Sequence, residues 1–218
     1  MLQRAAGVPT TLENDVVALA EGEYLIGVAR GISNFCLITI GAGVGYGLVM
    51  HDRVVKSSDS GLGLGGHIPL DPSGPYCPDG HRGCARAMLS TESLCAQAQI
   101  AMGREVTYDE LLRLADRDPA RAIVESAAIA LGHLIALSAN LSMHHTVVLS
   151  GEGIGLWTVA EPIVRRAARS QRDPEAAPLN IIVDAQTFDV WARGAAAIAL
   201  ERAVTRLAQS PIDEETRI

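Results

Sequence analysis

Four side chains in the segment 61–84 have the chemistry of metal ligands. His67, Cys77, Asp79 and Cys84 offer one imidazole, two thiols and a carboxylate. This donor set suits four-coordinate zinc with no open coordination position. The segment is rich in glycine, proline and other turn formers, so apolar burial alone cannot fix its shape. We therefore predict a structural metal site in this segment.

The spacing of the two cysteines leaves an alternative open. They lie seven residues apart, which differs from the common C-x-x-C arrangement of zinc sites. The segment can also be read as a loop with two free thiols and a surface histidine. His81 is a competing ligand, although its neighbours Asp79, Gly80 and Arg82 favour a polar residue at a turn.

A second group of polar side chains stands where a helix is predicted to begin. Asn14 and Asp15 follow a short extended run at 8–12, which we read as a strand, and precede a helix that continues to about Gly27. Either residue can serve as a helix N-cap, which is a structural role. Alternatively, Asp15 can face a cleft and take a proton from a hydroxyl group.

Two glycine-rich turns could bind phosphate or a nucleotide. Gly41, Gly43 and Gly45 follow the apolar strand FCLITI, and their bare amides could cradle a phosphate. Gly151 and Gly153 follow the buried strand TVVLS, at the carboxyl end where α/β sheets hold ligands. A glycine-rich hairpin also forms without any ligand, so neither turn establishes a site by itself.

The order of predicted elements indicates an α/β protein. After the first helix, residues 34–55 predict a three-stranded antiparallel meander. Helices follow the metal segment, and Thr107 with Glu110 forms a capping-box pattern. Asp118, followed by Pro119, is predicted to cap a helix that runs through IVESAAIALGHLIALSANL; this helix is apolar around most of its circumference and should be buried. Two further strands, TVVLS and NIIVDA, alternate with helices, and the small residues Ala195 to Ala197 of the last helix are expected to permit close helix packing. The charged end from Ser210 is predicted to be a flexible tail.

Composition narrows the class of protein. The chain has 218 residues with 48% hydrophobic and 4% aromatic residues, so its core must be built from aliphatic side chains. The net charge of -7 argues against the chain itself binding a polyanion. No stretch of eighteen apolar residues and no cleavable leader is seen, so we expect a soluble cytoplasmic protein. Cys36 and Cys95 are expected to be buried free thiols.

The metal segment resembles the signature of the ROK family (repressors, open reading frames and sugar kinases). That signature reads G-E-I-G-H, a spacer, then C-x-C-G-x-x-G-C. Here LGGH ends at His67, and CPDGHRGC spans Cys77 to Cys84. Asp79 replaces the middle cysteine, which zinc can accept because carboxylate oxygen is a normal ligand. Leu64 replaces the glutamate that hydrogen-bonds sugar hydroxyls in the family, which leucine cannot do.

Four further strings resemble the family in the same order, over about residues 8 to 207. LENDVVALAE implies that Asn14 and Asp15 bind sugar, with Asp15 as general base in kinase members, and His67 is expected beside the same sugar. GAGVG resembles the phosphate motif, with Ala42 where a hydroxyl residue would stand. VVLSGEG resembles the adenosine-contact motif, and Glu152 would place a negative charge close to ATP. The fourth string is the R-G-A-A run of the last helix.

The resemblance implies a fold and three functional hypotheses. The fold is the C-terminal lobe of the ribonuclease-H-like, actin-type ATPase class, with residues 1–207 as one sugar-binding and dimerisation domain and 208–218 as a tail. No D-x-G-x-T hairpin and no DNA-reading helix-turn-helix is seen, so we expect a C-terminal portion that lacks the ATPase lobe and the winged helix. The strings GLGGHIPLDP and CPDGHRGCA resemble those of actinobacterial ROK transcriptional regulators more than those of glucokinases, which favours a regulator.

The first hypothesis is therefore that the chain is the effector-binding portion of a regulator. We expect this portion to form a homodimer and to bind a sugar and a structural zinc ion, but not ATP. DNA would be bound only through the missing N-terminal domain, and no membrane is involved. The second hypothesis is the lobe of an ATP- and Mg²⁺-dependent sugar kinase with Asp15 as base. The third is a metal-stabilised scaffold with no small ligand.

Overall fold

The computed structural model describes residues 2–185 and 189–209. Helix α1 spans Leu2–Ala6 and helix α2 Asp15–Leu25. Strands β1 (Phe35–Ile40), β2 (Val44–Met50) and β3 (Arg53–Val54) follow. A short 3₁₀ helix, Leu64–His67, leads into the metal segment. The predicted strand at 8–12 is wrong: residues 8–14 have irregular backbone, and Leu12 is 72% exposed.

The second half of the chain alternates helices and strands. Its helices are α3 (Ala85–Leu89), α4 (Thr91–Met102), α5 (Tyr108–Arg113), α6 (Ala120–Ser142), α7 (Gly155–Ser170) and α8 (Asp189–Gln209). Its strands are β4 (Thr146–Ser150) and β5 (Asn180–Val183), and a 3₁₀ turn, Glu152–Ile154, follows β4. The predicted tail from Ser210 lies outside the described residues.

The five strands form one mixed sheet in the order β3-β2-β1-β4-β5. β1 pairs antiparallel with β2 and parallel with β4, and β5 is parallel to β4. The meander and the two parallel strands are therefore confirmed. Because both glycine turns follow neighbouring strands at the same edge of the sheet, the topology brings them together.

Helices cover both faces of the sheet. Alternate residues of β1 point to opposite sides, as the pleat requires. Phe35 and Leu37 pack with α2 and Val190 of α8, whereas Cys36, Ile38 and Ile40 join a larger cluster with α6 and α7. All six residues of β1 are buried, which explains its continuous apolar run.

Helix α6 is the core helix of the larger layer. It is long and apolar enough by length and composition to cross a membrane, but 61% of its most apolar window is buried inside the protein. Its burial confirms the sequence prediction. Pro119 occupies the N-cap position without a side-chain bond, so the predicted cap by Asp118 is wrong. The Asp118 carboxylate instead accepts a 2.6 Å bond from Arg121.

Candidate functional site

A cavity of about 540 Å³ opens at the edge of the sheet where the glycine turns meet. It is within the size range of small-molecule sites. Most of the predicted ligand-binding residues line it, namely Asn14, Asp15, Gly41, Gly43, Gly45 and Gly151, together with Leu64 and Glu152. The lining does not include His67 or Gly153. The functional roles of all these residues remain predictions.

Asn14 and Asp15 form the polar wall of the cavity. Asn14 is the N-cap of α2, since its Oδ1 accepts a 3.2 Å bond from the Val17 amide. Its Nδ2 donates to Asp15 Oδ1 at 2.9 Å. Asp15 Oδ1 also accepts from the Val16 amide at 2.8 Å. The N-cap role of Asn14 is thus compatible with its place in the cavity wall, which it shares with the exposed Asp15 carboxylate.

The first glycine turn has few amides to offer a phosphate. The Gly41 amide donates to Gly43 O at 3.0 Å, and the Gly45 amide donates to Thr39 Oγ1 at 3.1 Å. The Ala42 amide donates to Glu152 Oε1 at 2.9 Å. Three amides of the predicted phosphate cradle therefore already have acceptors within the chain.

Glu152 brings its charge directly against the first turn. A Cβ built on Gly41 would lie 2.5 Å from Glu152 Cδ, so only glycine leaves room for this carboxylate. The sequence predicted a negative charge near this position from the family resemblance. It could not reveal the hydrogen bond to Ala42, which joins residues 110 positions apart.

The second glycine turn is explained by packing. Gly151 has φ +100, and a Cβ there would lie 2.4 Å from Ile40 O. Gly153 is buried, and its Cβ would lie 3.0 Å from the same carbonyl. Tyr108 donates its hydroxyl hydrogen to Gly153 O at 2.7 Å. These glycines let the turn after β4 approach the end of β1.

The metal segment places three ligands together. One ligand atom from each of His67, Cys77 and Cys84 lies within 4.8 Å of the other two. Cys77 and Cys84 are buried and His67 is partly buried, and no disulfide joins the two cysteines. Two thiols and an imidazole fit zinc, which would pin the segment to α3 without supplying chemistry to a reaction. Neither the fourth predicted ligand, Asp79, nor the competing ligand, His81, is part of this group of three.

Electrostatics around the two thiols differ. Burial raises the pKa of the Cys77 thiol, but hydrogen bonds from His81, together with those from Asp79 and Cys84, lower it by more, so the net direction is downward. Burial raises the pKa of the Cys84 thiol. Cys77 is thus the sulfur more readily present as the thiolate that a metal binds.

Backbone hydrogen bonds also hold the metal segment. The amides of Leu70 and Asp71 both donate to Gly83 O, at 2.8 and 3.0 Å, and the Ala85 amide donates to Ile68 O at 2.9 Å. Gly83 has φ +56 and lies against the Asp71 carbonyl, where no side chain fits. Backbone hydrogen bonds therefore contribute to the path of this segment, which the sequence did not indicate.

The mixed sheet with helices on both faces, and a cavity at the strand ends, define a protein of the actin-type ATPase fold. Solved structures with this architecture include a ROK hexokinase from Thermus thermophilus, with a TM-score of 0.77 and 30% identity over 92% of this chain and 69% of that one. A ROK family transcriptional regulator, a homologue of E. coli Mlc, gives a TM-score of 0.78 with 27% identity over 91% of this chain and 54% of that one.

The chain belongs to the ROK family, whose model matches residues 1–202. Among curated relatives, the N-acetylmannosamine kinase of Vibrio vulnificus is 34% identical over 157 residues, 71% of this chain and 53% of that protein. The chain spans about half the length of the curated relatives it matches. Both kinases and repressors are therefore relatives, and the predicted family and fold are confirmed.

Proposed function

We propose that this chain is the sugar-effector-binding and dimerisation portion of a ROK transcriptional regulator, without catalysis of its own. A single observation carries the proposal: Glu152 Oε1 accepts a 2.9 Å hydrogen bond from the Ala42 amide. The carboxylate accepts the hydrogen bond of an amide that a nucleotide phosphate would need. DNA contact would come from a winged-helix domain outside this chain.

Electrostatics make the same contact unfavourable for ATP. Two unit charges of the same sign about 4 Å apart repel by roughly 4 kcal/mol near a protein surface. A triphosphate placed at Gly41 would meet this repulsion from Glu152 and would also lose the Ala42 donor. A sugar has no charge, so it does not meet the repulsion.

The cavity supports a sugar ligand. Its wall carries an amide and a carboxylate from Asn14 and Asp15, which can bond to hydroxyl groups, and its volume of about 540 Å³ suits a small molecule. Zinc held by His67, Cys77 and Cys84 would fix the segment that carries Leu64 on the same cavity. The names of kinase and repressor relatives both indicate sugar metabolism.

A sugar kinase lobe is the second candidate, favoured by the position of Asp15 at the cavity. In that case Asp15 would take the proton of the attacking hydroxyl, and ATP with Mg²⁺ would be bound with a second lobe supplied from outside the chain. The two candidates differ in whether the glycine turns bind a nucleotide.

Sugar binding is tested by calorimetry with a panel of hexoses and N-acetylhexosamines on the wild-type chain and two Asn14 variants. Asn14→Ala removes both the amide and the N-cap, which costs about 1 kcal/mol of stability. Asn14→Ser keeps an N-cap and removes only the amide. We expect a roughly tenfold loss of sugar affinity in Asn14→Ser at wild-type stability.

Unchanged affinity in Asn14→Ser would remove Asn14 from the sugar site. No heat from any sugar with the wild-type chain would contradict the effector-binding proposal and favour the metal-stabilised scaffold.

A further inference from the structure

We infer that His81 is the fourth ligand of the metal held by His67, Cys77 and Cys84. In this arrangement Asp79 lies beside the outer ring nitrogen of His67 and does not touch the metal. The inference concerns the metal segment alone and is independent of whether the chain serves a regulator or a kinase.

The distances around Cys77 favour an imidazole from His81. In a tetrahedral zinc site with bonds of about 2.3 Å to sulfur and about 2.05 Å to nitrogen, the two ligand atoms lie about 3.6 Å apart. His81 Nδ1 lies 3.5 Å from Cys77 Sγ. His67 Nδ1 lies 4.0 Å from the same sulfur. The rings of His67 and His81 are neighbours, with centroids 4.4 Å apart.

The contacts of Asp79 place it outside this group. Its Oδ2 lies 3.0 Å from Arg86 Nη1 and 3.7 Å from His67 Nε2. His67 Nε2 is the ring nitrogen opposite the one nearest to Cys77. A carboxylate at the outer nitrogen fixes the tautomer that presents the other nitrogen to a metal, a common arrangement around metal-bound histidines. Asp79 therefore suits the orientation of His67.

The backbone explains why position 81, and not position 79, reaches the metal. Residues 77–81 form a tight turn, closed by bonds of 2.9 Å from the Cys77 amide to His81 O and from the Gly80 amide to Cys77 O. Gly80 has φ +85, which a turn of this kind requires. Residues at the two ends of such a turn lie side by side, whereas Asp79 lies near its tip.

The resulting donor set is also balanced in charge. Two thiolates and two neutral imidazoles bound to Zn²⁺ give a neutral site, and this Cys₂His₂ set is a common structural zinc site. An added carboxylate ligand would leave a net negative charge beside buried groups. Arg86 neutralises Asp79 where it stands.

X-ray absorption at the zinc edge of the wild-type chain, purified without chelators, tests the ligand count directly. The outer-shell scattering of imidazole rings distinguishes two histidine ligands from one. We expect two sulfur and two imidazole ligands. One imidazole with an added oxygen ligand, or the absence of bound metal, would overturn the inference.

Variants give an independent readout through Co²⁺ substitution and competition with a chromophoric chelator. We expect His81→Ala to weaken zinc binding by more than the roughly 10- to 100-fold loss typical of an outer-shell partner, and to change the four-coordinate Co²⁺ spectrum. Asp79→Asn, which keeps a hydrogen-bond acceptor, should retain that spectrum and most of the affinity.

His81→Cys is the control for the possibility that the alanine variant loses metal because it misfolds. It should restore tight binding and increase the sulfur-to-cobalt charge-transfer absorption, because a third thiolate joins the metal. If Asp79→Asn loses the four-coordinate spectrum while His81→Ala keeps it, Asp79 is the ligand and the inference fails.

Discussion

Glu152 Oε1 accepts a 2.9 Å hydrogen bond from the Ala42 amide, and this contact joins the two glycine turns at the mouth of the cavity. One turn follows β1 and the other follows β4, so the contact depends on the parallel pairing of these strands. It places a negative charge at the turn that the family resemblance predicts to bind phosphate.

Replacing Glu152 should increase nucleotide binding. We expect Glu152→Gln, which removes the charge and keeps the size, to bind ATP roughly 100-fold more tightly than the wild-type chain, because repulsion of about 4 kcal/mol is relieved in part. Glu152→Ala also frees the Ala42 amide and should bind at least as tightly as Glu152→Gln. Equilibrium dialysis with labelled ATP measures all three. Equal binding by wild type and Glu152→Gln would show that this carboxylate does not exclude nucleotide.

The close packing of α2 against α8 should depend on Gly194. A Cβ at this position would lie 1.7 Å from the Ala18 carbonyl oxygen, so the helices would have to separate. We expect Gly194→Ala to lower the free energy of unfolding by about 1–3 kcal/mol, although alanine favours the helix by about 1 kcal/mol. Urea denaturation measures the change.

Gly43→Ala is the control for that substitution, because its added methyl group would meet no atom within 4 Å. We expect its free energy of unfolding to stay within about 0.5 kcal/mol of that of the wild type. A Gly194→Ala protein as stable as this control would contradict the close packing of the two helices.

Burial of Glu23 should make stability depend on pH. Glu23 is fully buried, and burial, followed by the neighbouring Asp184, raises its pKa from 4.5 to about 8. Between these values the folded chain keeps a proton that the unfolded chain releases. The free energy of unfolding should therefore fall as pH rises, by up to about 1.4 kcal/mol per pH unit.

Glu23→Gln cannot release this proton and should lose that part of the slope. Urea denaturation at about pH 5.5 and about pH 7.5 compares the two proteins across the window. Parallel changes in wild type and variant would show that Glu23 is not responsible for the pH dependence.

Sequence reasoning predicted the elements whose patterns are local. The meander from Phe35, the buried α6 and the N-cap at Thr107, whose Oγ1 accepts from the Glu110 amide at 3.3 Å, all follow from residues close in sequence. The prediction of a strand at 8–12 was wrong because a short extended run does not show whether a neighbouring strand is available to pair with it. Val8 is 58% exposed.

Contacts between residues far apart along the chain could not be predicted from the sequence. The small residues Ala195 to Ala197 were predicted to permit close helix packing. Ala195 and Ala196 are exposed and Ala197 is partly buried, and Gly194 together with Gly22 makes the close contact. The two ends of the turn at 77–81 meet through its backbone bonds, which the sequence does not show. The sequence therefore left His81 as either a competing ligand or, as its neighbours favoured, a polar residue at a turn. The residue types alone do not show which of these side chains come into contact in the fold.

The most direct test of the account is a calorimetric titration of the wild-type chain with its best-binding sugar, in the presence and absence of Mg²⁺ and a non-hydrolysable ATP analogue. We predict that the sugar binds with the same affinity in both conditions and that the analogue alone gives no heat. Binding of the analogue, or its enhancement of sugar affinity, would contradict a nucleotide-independent regulator and favour the kinase lobe.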